Sequence, residues 1–296
     1  MPRDETTMKQ NLRLILSRPI EDDSCPDLVI DRGKYDDGVG SWVHSEKHKL
    51  LATYIDAARS AATSGKFSNW VYIDPFCGPG RMQSRGESFT RPGGAMVAWR
   101  QSQISGAPFS KVFIGDLDKQ RLDACEARLV ARSCPVQAFH GPAAETAVEM
   151  VRAVPARSLC LVYIDPYNLA LLSYPMIAEF SKLPKVDFVV HFSTMDWLRN
   201  IEMETSPERA RFDEVCPGWR QKLANTSRSS LPVAFFDLWH QKIRGLGFEF
   251  SREMKLIYND DQHEIYKLVF FARHDLPRRL WKDVARPQNR GLFDDC

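Results

Sequence analysis

The sequence predicts an α/β protein built on a mainly parallel sheet, and two observations carry that prediction. Short, continuously apolar segments alternate with amphipathic segments of helical period from about residue 70 to residue 192. Continuous apolar runs are typical of strands buried on both faces, and their alternation with helices favours parallel pairing. The last third of the chain instead carries two β-rich segments joined by the polar turn "NDDQH". We therefore expect an antiparallel hairpin at the C-terminal end of the sheet.

The predicted elements follow one another in a regular order. The five strands of the parallel part are Trp70–Ile73, Val112–Ile114, Val136–Phe139, Leu159–Ile164 and Phe188–Phe192. Helical patterns lie between them at about 93–104, 118–131, 143–153 and 172–183. A further helix precedes the first strand in "SEKHKLLATYIDAARSAA", where Ser45 is a candidate N-cap. The late hairpin comes from "FEFSREMKLIY" and "EIYKLVFFAR".

The remaining segments define the domain organisation. Residues 1–40 are polar and broken by proline and glycine, so we predict an irregular N-terminal arm. Residues 41–296 form one predicted domain, with a charged helical insertion after the fifth strand at about 195–230. A mainly parallel sheet that ends in an antiparallel pair is the plan of the class I methyltransferases. We therefore predict this Rossmann-like fold.

Composition excludes several classes of protein. The chain has 296 residues, of which 44% are hydrophobic and 26% charged, as expected for a globular protein. It lacks the long apolar run that a membrane span needs, and its start lacks the residue order of a signal peptide. Its seven cysteines are scattered without a Cys-x-x-Cys pair, which argues against a disulfide framework and a zinc cluster. We expect a cytoplasmic protein without a metal site.

Net charge is only +2, so a polyanionic partner would need a local basic patch. The stretch from Arg273 to Arg290 holds six arginine or lysine residues against two aspartates. A solvated C-terminal tail and a phosphate-contacting surface are both consistent with this pattern. The second interpretation would make nucleic acid a partner.

The motif "WVYIDPFCGPG" predicts a cofactor-binding turn at the end of the first strand. Ligands of open α/β sheets bind beyond the carboxyl ends of the strands. Gly78 and Gly80 allow unusual backbone dihedrals and close approach of a ligand, while Pro75 and Pro79 stiffen the turn. A stiff turn loses little conformational entropy when a ligand binds.

The carboxylate of Asp74 decides which cofactor suits this turn. It would repel a pyrophosphate, and the chain has neither the Gly-x-Gly-x-x-Gly nor the Walker A pattern of nucleotide sites. S-adenosylmethionine instead carries a cationic ammonium and a cationic sulfonium, which an acidic strand end would attract. A plain strand-to-helix turn without a ligand is the alternative interpretation.

Further cofactor contacts are expected from the next two strands. Asp116 directly follows the second strand and is the candidate for the ribose hydroxyls, although Asp118 could equally be the N-cap of the following helix. Pro142 stands where many methyltransferases place an acidic residue for the adenine amino group, so the adenine contact stays open. Pro75, Phe76, Leu117 and Ala143 complete the predicted cofactor site.

The half-repeat "LVYIDPYN" is the candidate catalytic motif. Asp165 and the carbonyl of Pro166 could accept hydrogen bonds from an exocyclic amino group, and Tyr167 could stack on a planar acceptor. Placement of the acceptor nitrogen in line with the methyl group would supply most of the catalysis, roughly 7–11 kcal/mol. A target base in a duplex would first have to be flipped out.

These two motifs resemble motifs I and IV of the Asp-Pro-Pro-Tyr type of amino-methyltransferase. The chain also resembles the three-Cys-motif partner protein family, TcmP, over roughly residues 45–285. The stretches that carry this second resemblance are "KHKLLATYI", "DPFCGPGR", "PGGAMVAW", "YIDPYN", "HFSTMDWLRN" and "HDLPRRLWKDV". Asn168 replaces the second proline of Asp-Pro-Pro-Tyr, which weakens the case for a nucleobase amino acceptor.

The resemblance implies a methyltransferase fold and a radical-SAM-like partner that carries three cysteines. Two functions therefore stay open at this point. The chain could be a methyltransferase that modifies an amino group of a nucleic-acid base or similar planar acceptor. It could also be a non-catalytic, methyltransferase-like partner of the three-Cys protein. A nuclease or hydrolase is a further alternative, but the acidic residues show no metal-binding pattern.

Some other residues have two interpretations each. His191, at the end of the fifth strand, could be a general base, although a buried and fully hydrogen-bonded histidine is the simpler interpretation. Cys77 is expected to be a small packing residue. His44 and His48 are expected at a solvated helix start. The tryptophans Trp197, Trp219, Trp239 and Trp281 are expected in the core or in a lid.

Overall fold

The computed structural model describes residues 23–206, 208, 210–258 and 263–285. Within these ranges the chain folds around a sheet of eight strands with a separate two-stranded hairpin. The strands are β1 (Asn69–Asp74), β2 (Arg81–Gln83), β3 (Thr90–Pro92), β4 (Lys111–Asp116), β5 (Val136–His140), β6 (Ser158–Ile164), β7 (Val186–Phe192), β8 (Glu249–Phe250), β9 (Lys255–Tyr258) and β10 (Glu264–Ala272).

Helices connect these strands in the order that the sequence predicts. They are α1 (Lys49–Ala62), α2 (Gly94–Ile104), α3 (Lys119–Val130), α4 (Ala143–Ala153), α5 (Tyr174–Phe180), α6 (Thr194–Glu204), α7 (Trp219–Lys222), α8 (Leu231–Gly245) and α9 (Asp275–Ala285). A π-helical turn, Val43–His48, leads into α1, and a 3₁₀ turn, Leu169–Leu171, follows β6. Each strand from β4 to β7 is preceded by a helix, which is the condition for parallel pairing.

The strand order is β5–β4–β1–β6–β7–β10–β8, and β9 also pairs with β10. The pairs from β5 to β7 are parallel, while β10 runs antiparallel to β7 with Phe270 opposite Val189. From β1 the chain builds outward to β4 and β5, and it then returns to place β6 on the other side of β1. This is the switch point at which ligands of open α/β sheets bind.

The sheet confirms the predicted Rossmann-like class I methyltransferase fold, including its antiparallel C-terminal end. One detail goes beyond the prediction. Strand β10 inserts between β7 and β8, so β8 and β9 lie along the same outer edge of β10. Long-range pairing of this kind leaves no signal in local sequence patterns, because it depends on which edge of the sheet stays open after β7 has docked.

Two hydrophobic cores fill the space between the sheet and its helices. On one face, Tyr72 and other alternate strand residues pack against α1, α2, α3 and α9. On the other face, Ile73 and its counterparts pack against α4, α5, α6 and α8. Successive residues of a strand point to opposite faces of the sheet, and both faces are covered by helices. Both sets of residues are therefore apolar, which explains the continuous apolar runs in the sequence. All four tryptophans named above are buried in these cores, as expected.

The described part of the N-terminal arm is held by hydrogen bonds to β2. The amide of Asp31 donates to the Arg81 carbonyl at 2.9 Å, and the amide of Val39 donates to the Gln83 carbonyl at 2.9 Å. The β2–β3 hairpin that receives the arm was not predicted, because its strands are only three residues long. Residues 1–22 of the predicted arm lie outside the described residues.

Arg128 of α3 fixes the start of this arm from inside the protein. Its side chain is fully buried and donates to the carboxylate of Asp23 at 3.0 Å and to the Val29 carbonyl at 2.8 Å. A further hydrogen bond, of 2.6 Å, goes to the carbonyl of Pro79 in the glycine turn. One guanidinium group therefore ties together the arm, α3 and the predicted cofactor turn.

One local prediction was wrong. Ser45 is not an N-cap, because helical structure already begins at Val43, and its hydroxyl donates to the Ser41 carbonyl instead. The charged segment after β7 is helical over Thr194–Glu204 and again over Trp219–Lys222, and the described residues between these helices form turns or irregular structure. Burial of Phe212, Val215 and Cys216 against the core outweighs helix propensity there.

Candidate functional site

A cleft of about 530 Å3 opens at the carboxyl ends of the parallel strands. The strand-end residues Asp74, Asp116, Asp165 and His191 all line it. Every residue of the predicted cofactor and catalytic sites lies on its wall. They are Asp74, Pro75, Phe76, Gly78, Gly80, Asp116, Leu117, Ala143, Asp165, Pro166 and Tyr167. Motifs that are ninety residues apart in sequence thus face one cavity, because parallel strands end at the same edge of the sheet.

The glycine turn has the stiffness that its sequence predicts. Gly78 and Gly80 adopt φ values of 58° and 77°, which residues with a Cβ rarely adopt. The turn is closed by backbone hydrogen bonds from the Cys77 amide to the Gly115 carbonyl (2.9 Å) and from the Gly93 amide to the Gly80 carbonyl (2.8 Å). The backbone of the turn is therefore fixed before any ligand arrives.

Asp74 is buried at the base of the turn, with 1% of its surface exposed. Its carboxylate accepts hydrogen bonds from the Phe76 amide at 3.1 Å and from the Tyr72 hydroxyl at 3.2 Å. Burial, together with the negative charge of Asp165, raises the pKa of Asp74 to about 7. A cation beside this carboxylate would favour its ionised form.

The start of α2 lies against the same carboxylate. A Cβ on Gly94 would come within 3.2 Å of the Tyr163 ring and 3.6 Å of an Asp74 oxygen. A side chain there would require the Tyr163 ring to shift by a few tenths of an ångström. Gly93 and Gly94 of the "PGG" stretch both line the cleft.

Asp116 connects the second strand to the glycine turn. Its carboxylate accepts from the Gly78 amide at 3.0 Å and from the Asp118 amide at 2.9 Å. Asp118 is the N-cap of α3, where it accepts from the amides of Gln120 and Arg121. The two aspartates therefore differ in their contacts: Asp118 caps a helix, and Asp116 lines the cleft. Leu117, beside it, is 67% exposed at the rim.

Ala143 begins α4 directly after Pro142, which occupies the N-cap position without a side-chain hydrogen bond. Gly141, with a φ of 143°, precedes them and also lines the cleft. This part of the wall therefore offers backbone and apolar groups to a ligand. The acidic residue that many methyltransferases have here is replaced by Pro142 in this chain.

The acceptor side of the cleft is organised around Asp165. One carboxylate oxygen accepts from the Lys47 ammonium at 2.7 Å, and the other lies 2.7 Å from His191 Nδ1. Lys47 comes from the π-helical turn before α1, whereas His191 comes from β7. We call these three side chains the Lys47–Asp165–His191 cluster.

The protonation states within this cluster follow from burial and charge. Burial alone would raise the pKa of Asp165, but Lys47 and His191 outweigh it and hold this pKa well below its usual range. Burial lowers the pKa of His191, and the hydrogen bond to Asp165 offsets this effect only in part. Near neutral pH the cluster therefore contains an ammonium, a carboxylate and a neutral imidazole.

One nitrogen of this imidazole is not satisfied. His191 Nε2 is buried and has no hydrogen-bond partner among the described residues, while the ring packs against Tyr266 with centroids 3.8 Å apart. The expectation of a fully hydrogen-bonded histidine thus holds for Nδ1 and is wrong for Nε2.

The expectation of a solvated helix start is also wrong. Lys47 and His48 are only 7% and 3% exposed, and both line the cleft. Burial, with the nearby Lys47 charge, lowers the pKa of His48 to about 3. His44 is half-buried, with its Nδ1 3.0 Å from the Ser84 hydroxyl. Both Lys47 and His48 belong to the π-helical turn, which only the structure reveals, and such turns are frequent at functional sites.

Asp31 and Arg121 are further cleft residues that sequence reasoning missed. They form an ion pair of 2.7 Å beside the glycine turn, across 90 residues of sequence. The arm is therefore part of the cleft wall.

Tyr167 stands at the mouth of the cleft with 65% of its surface exposed. Cys77 is buried and its thiol donates to the Gly78 carbonyl at 3.3 Å, which confirms it as a packing residue. Burial raises the pKa of its thiol well above the ordinary range, so it is a poor nucleophile.

Arg273, the first residue of the basic stretch, packs against the protein, whereas Arg279 is exposed and pairs with Asp275. Arg273 follows β10, whose antiparallel direction brings its end opposite the start of β7, away from the cleft. The Arg273 guanidinium stacks over Phe248 at 4.1 Å and donates to the Leu183 carbonyl at 2.9 Å. Arg286 and Arg290 lie outside the described residues.

Two searches of the described residues are negative. No helix among them is long and apolar enough to cross a membrane. No group of three or more histidine, cysteine or acidic side chains among them has the arrangement of a metal site.

Comparison with known proteins finds similarity to solved structures at low sequence identity. No family model matches the sequence, and no curated protein matches it. Among solved structures, a candidate RNA methyltransferase from Pyrococcus horikoshii is 13% identical, with a TM-score of 0.44, over 90% of this chain and 98% of its own. An O-methyltransferase from Bacillus cereus, solved with S-adenosylhomocysteine, is 9% identical, with a TM-score of 0.42, over 92% of each chain. The strand order itself carries the fold assignment.

Proposed function

We propose that this protein is an S-adenosylmethionine-dependent methyltransferase that modifies an amino group of a nucleic-acid base or a similar planar acceptor. One observation carries the proposal. A single cleft at the switch point holds a buried acidic strand end beside a stiff glycine turn, and it holds an Asp-Pro-Tyr strand end opposite. The first arrangement suits a cationic cofactor, and the second suits a planar acceptor.

The residues present fit the cofactor. Asp74 is a buried carboxylate whose pKa is raised to about 7 by burial and by the charge of Asp165. Its hydrogen-bond partners among the described residues, Tyr72 and the Phe76 amide, are neutral, and the ammonium of the cofactor would supply a positive charge. The backbone of Gly78 and Gly80 is open to close approach. Asp116 would accept from the ribose hydroxyls with the lone pairs that its two backbone partners leave free. Leu117 and Ala143 would contact the adenine.

When bound, S-adenosylmethionine supplies an electrophilic methyl group on a cationic sulfur. The chain's part is then mainly placement. Tyr167 would stack on the acceptor ring, a contact worth about 1–3 kcal/mol per base in other proteins. Asp165 and the Pro166 carbonyl would accept hydrogen bonds from the amino group and so fix its orientation.

Two measurements test this function. Calorimetry with S-adenosylhomocysteine should show binding to the wild-type protein and none to Asp74→Ala. Incubation with S-adenosylmethionine labelled in the methyl group, with total RNA or denatured DNA as acceptor, should label one of these pools. Asp165→Ala should keep cofactor binding and lose transfer. A wild-type protein that neither binds the cofactor product nor transfers label would refute the proposal.

The alternative is a non-catalytic, methyltransferase-like partner of a three-Cys, radical-SAM-like protein. Its support is Pro142, which removes the expected acidic contact to adenine, together with the sequence resemblance to the TcmP family. Co-expression with such a protein separates the two functions. A stable complex without any methyl transfer would favour the alternative, and labelled nucleic acid would favour the enzyme. A cytoplasmic location suits either function.

A further inference from the structure

We propose that His191 is the general base of the methyl transfer, oriented by Asp165 and electrostatically set by Lys47. The proposal rests on the proposed function and deepens it, because it defines the chemistry of the acceptor. The acceptor atom must carry a hydrogen that leaves as a proton, as in an N–H or O–H group. An acceptor whose lone pair reacts without proton loss would not need this residue.

The geometry of the imidazole identifies its unprotonated nitrogen. Asp165 lies 2.7 Å from Nδ1, and an ionised carboxylate can only accept, so Nδ1 carries the hydrogen. In the neutral ring, Nε2 is then the unprotonated nitrogen with a free lone pair. A carboxylate that fixes the tautomer of a catalytic histidine in this way is a known arrangement in other enzymes.

The Nε2 nitrogen of His191 lacks a hydrogen-bond partner among the described residues. It is buried, on a residue that lines the cleft. A buried polar atom of this kind is costly to leave unpaired, and such atoms are rare in folded proteins. An acceptor N–H or O–H would satisfy it, in position for proton removal by a base. In this arrangement Asp165 acts on an amino group through His191, and the Pro166 carbonyl accepts from the second hydrogen.

Charged groups surround the imidazole. Asp165 would stabilise the imidazolium that forms, while burial and, to a smaller extent, the Lys47 charge disfavour protonation of the imidazole before the acceptor arrives. Tyr266 of β10 packs on the ring face from the remaining side. Burial, partly offset by Asp165, lowers the pKa of His191, so the base is in its neutral form near pH 7.

In the transfer, an acceptor lone pair would form the new bond to the methyl carbon, and the methyl–sulfur bond would break with its electrons kept by sulfur, which would become neutral. The acceptor N–H or O–H bond would break, its electrons would stay on the acceptor, and its proton would move to Nε2. His191 would return the proton to water after the product has left.

The first test is NMR of the cofactor-free protein with ¹⁵N-labelled histidine rings. At pH 7 we expect His191 to be neutral, with hydrogen on Nδ1 and none on Nε2. Lys47→Met should raise the pKa of His191, because a neighbouring positive charge is removed, and Asp165→Asn should lower it. A ring with hydrogen on Nε2 at pH 7 would overturn the proposal even if no acceptor had been found.

The second test is transfer of labelled methyl groups to the RNA or DNA pool that the wild-type protein modifies. We expect His191→Ala to reduce the rate by about 10²–10⁴-fold, and added imidazole to restore part of it. The affinity for S-adenosylhomocysteine should change by less than about twofold, which is well below the tenfold change that corresponds to one pKa unit. His191→Gln serves as a second variant in case the alanine does not fold.

His240→Gln is the matched control, because His240 is another half-buried histidine, packed on Phe250 outside the cleft. Its transfer rate should equal that of the wild type. Loss of cofactor binding and transfer in the wild-type protein would refute the proposed function, and the base assignment with it. If His191→Ala transferred methyl groups at the wild-type rate and still bound S-adenosylhomocysteine, only the assignment of His191 as the base would be overturned.

Discussion

At the scale of single residues, the burial of Asp74 supports its proposed role in binding a cation. Its carboxylate sits in a nearly dry position, where ionisation is unfavourable until a positive charge is present. The nearby Asp165 adds to this effect, although its own charge is balanced by Lys47. The two strand-end aspartates therefore have opposite pKa shifts, and we expect them to have different roles.

This difference predicts how cofactor binding depends on pH. The pKa of Asp74 is about 7, so the group loses its proton when a cation binds below that pH. Affinity for S-adenosylhomocysteine should fall as the pH drops from 8 to 6, approaching about tenfold per unit below 7. Asp74→Asn should bind weakly and with little pH dependence.

Calorimetry at pH 6, 7 and 8 checks this prediction. Asp123→Asn is the control, since Asp123 lies on the exposed side of α3 and pairs with Lys119. It should keep the wild-type affinity and pH profile. A wild-type affinity that stays constant from pH 6 to pH 8 would contradict the role given to Asp74.

At the scale of secondary-structure elements, the arm and α3 form one unit with the glycine turn. Arg128 links them through one carboxylate and four backbone carbonyls, namely Asp23, Cys25, Leu28, Val29 and Pro79. The arm in turn supplies Asp31, Gly33 and Val39 to the cleft wall. The segment that the sequence predicts as an irregular arm thus forms part of the cleft wall.

Removal of Arg128 should therefore affect both stability and binding. Arg128→Ala removes the shortest ion pair of Asp23 and the donor shared by four backbone carbonyls. Loss of one partner of a buried ion pair costs about 3–5 kcal/mol. We expect a lower free energy of unfolding in urea, faster proteolysis between residues 23 and 40, and weaker binding of S-adenosylhomocysteine.

Lys119→Ala, on the same helix, is the matched control. Its partner Asp123 is exposed, and such surface pairs contribute at most about 1 kcal/mol. If the arm of Arg128→Ala resisted proteolysis as well as the wild-type arm does, the hydrogen bonds to β2 would be enough to hold it.

At the scale of the whole molecule, stability resides in the two cores, while the cleft lies at one edge of the sheet. Asp187, at the start of β7, joins α1 to the sheet through a 2.9 Å hydrogen bond from the Tyr54 hydroxyl. Burial raises the pKa of Asp187 to about 7, from 3.8 in an unfolded chain. Its protonated form therefore stabilises the folded protein fully below pH 4, and this contribution is lost as the pH rises toward 7.

Asp187→Asn should remove this pH dependence, because an amide cannot ionise. The free energy of unfolding of the variant, relative to the wild type, should rise by about 1 kcal/mol per pH unit between pH 5 and 7. Urea unfolding at pH 5, 6, 7 and 8 measures it. Asp123→Asn should show no such trend. A constant difference between variant and wild type would contradict the raised pKa.

The sequence predicted most of the architecture because buried strands and amphipathic helices are local patterns. The ends of the predicted strands Trp70–Ile73 and Leu159–Ile164 lie within one or two residues of the strand ends in the structure. The two Asp-Pro motifs were placed at strand ends for the same reason. The topology rule for parallel strands then brought them to one cleft.

Lys47, Arg128 and the free nitrogen of His191 could not be predicted, because their roles depend on residues 26 to 118 positions away. A lysine at a helix start is expected in solvent until tertiary structure buries it against a carboxylate. By itself, then, the sequence determined the fold and the two acidic strand ends. Only the tertiary structure decided which charges meet there, because the pKa of a buried group is set by neighbours in space.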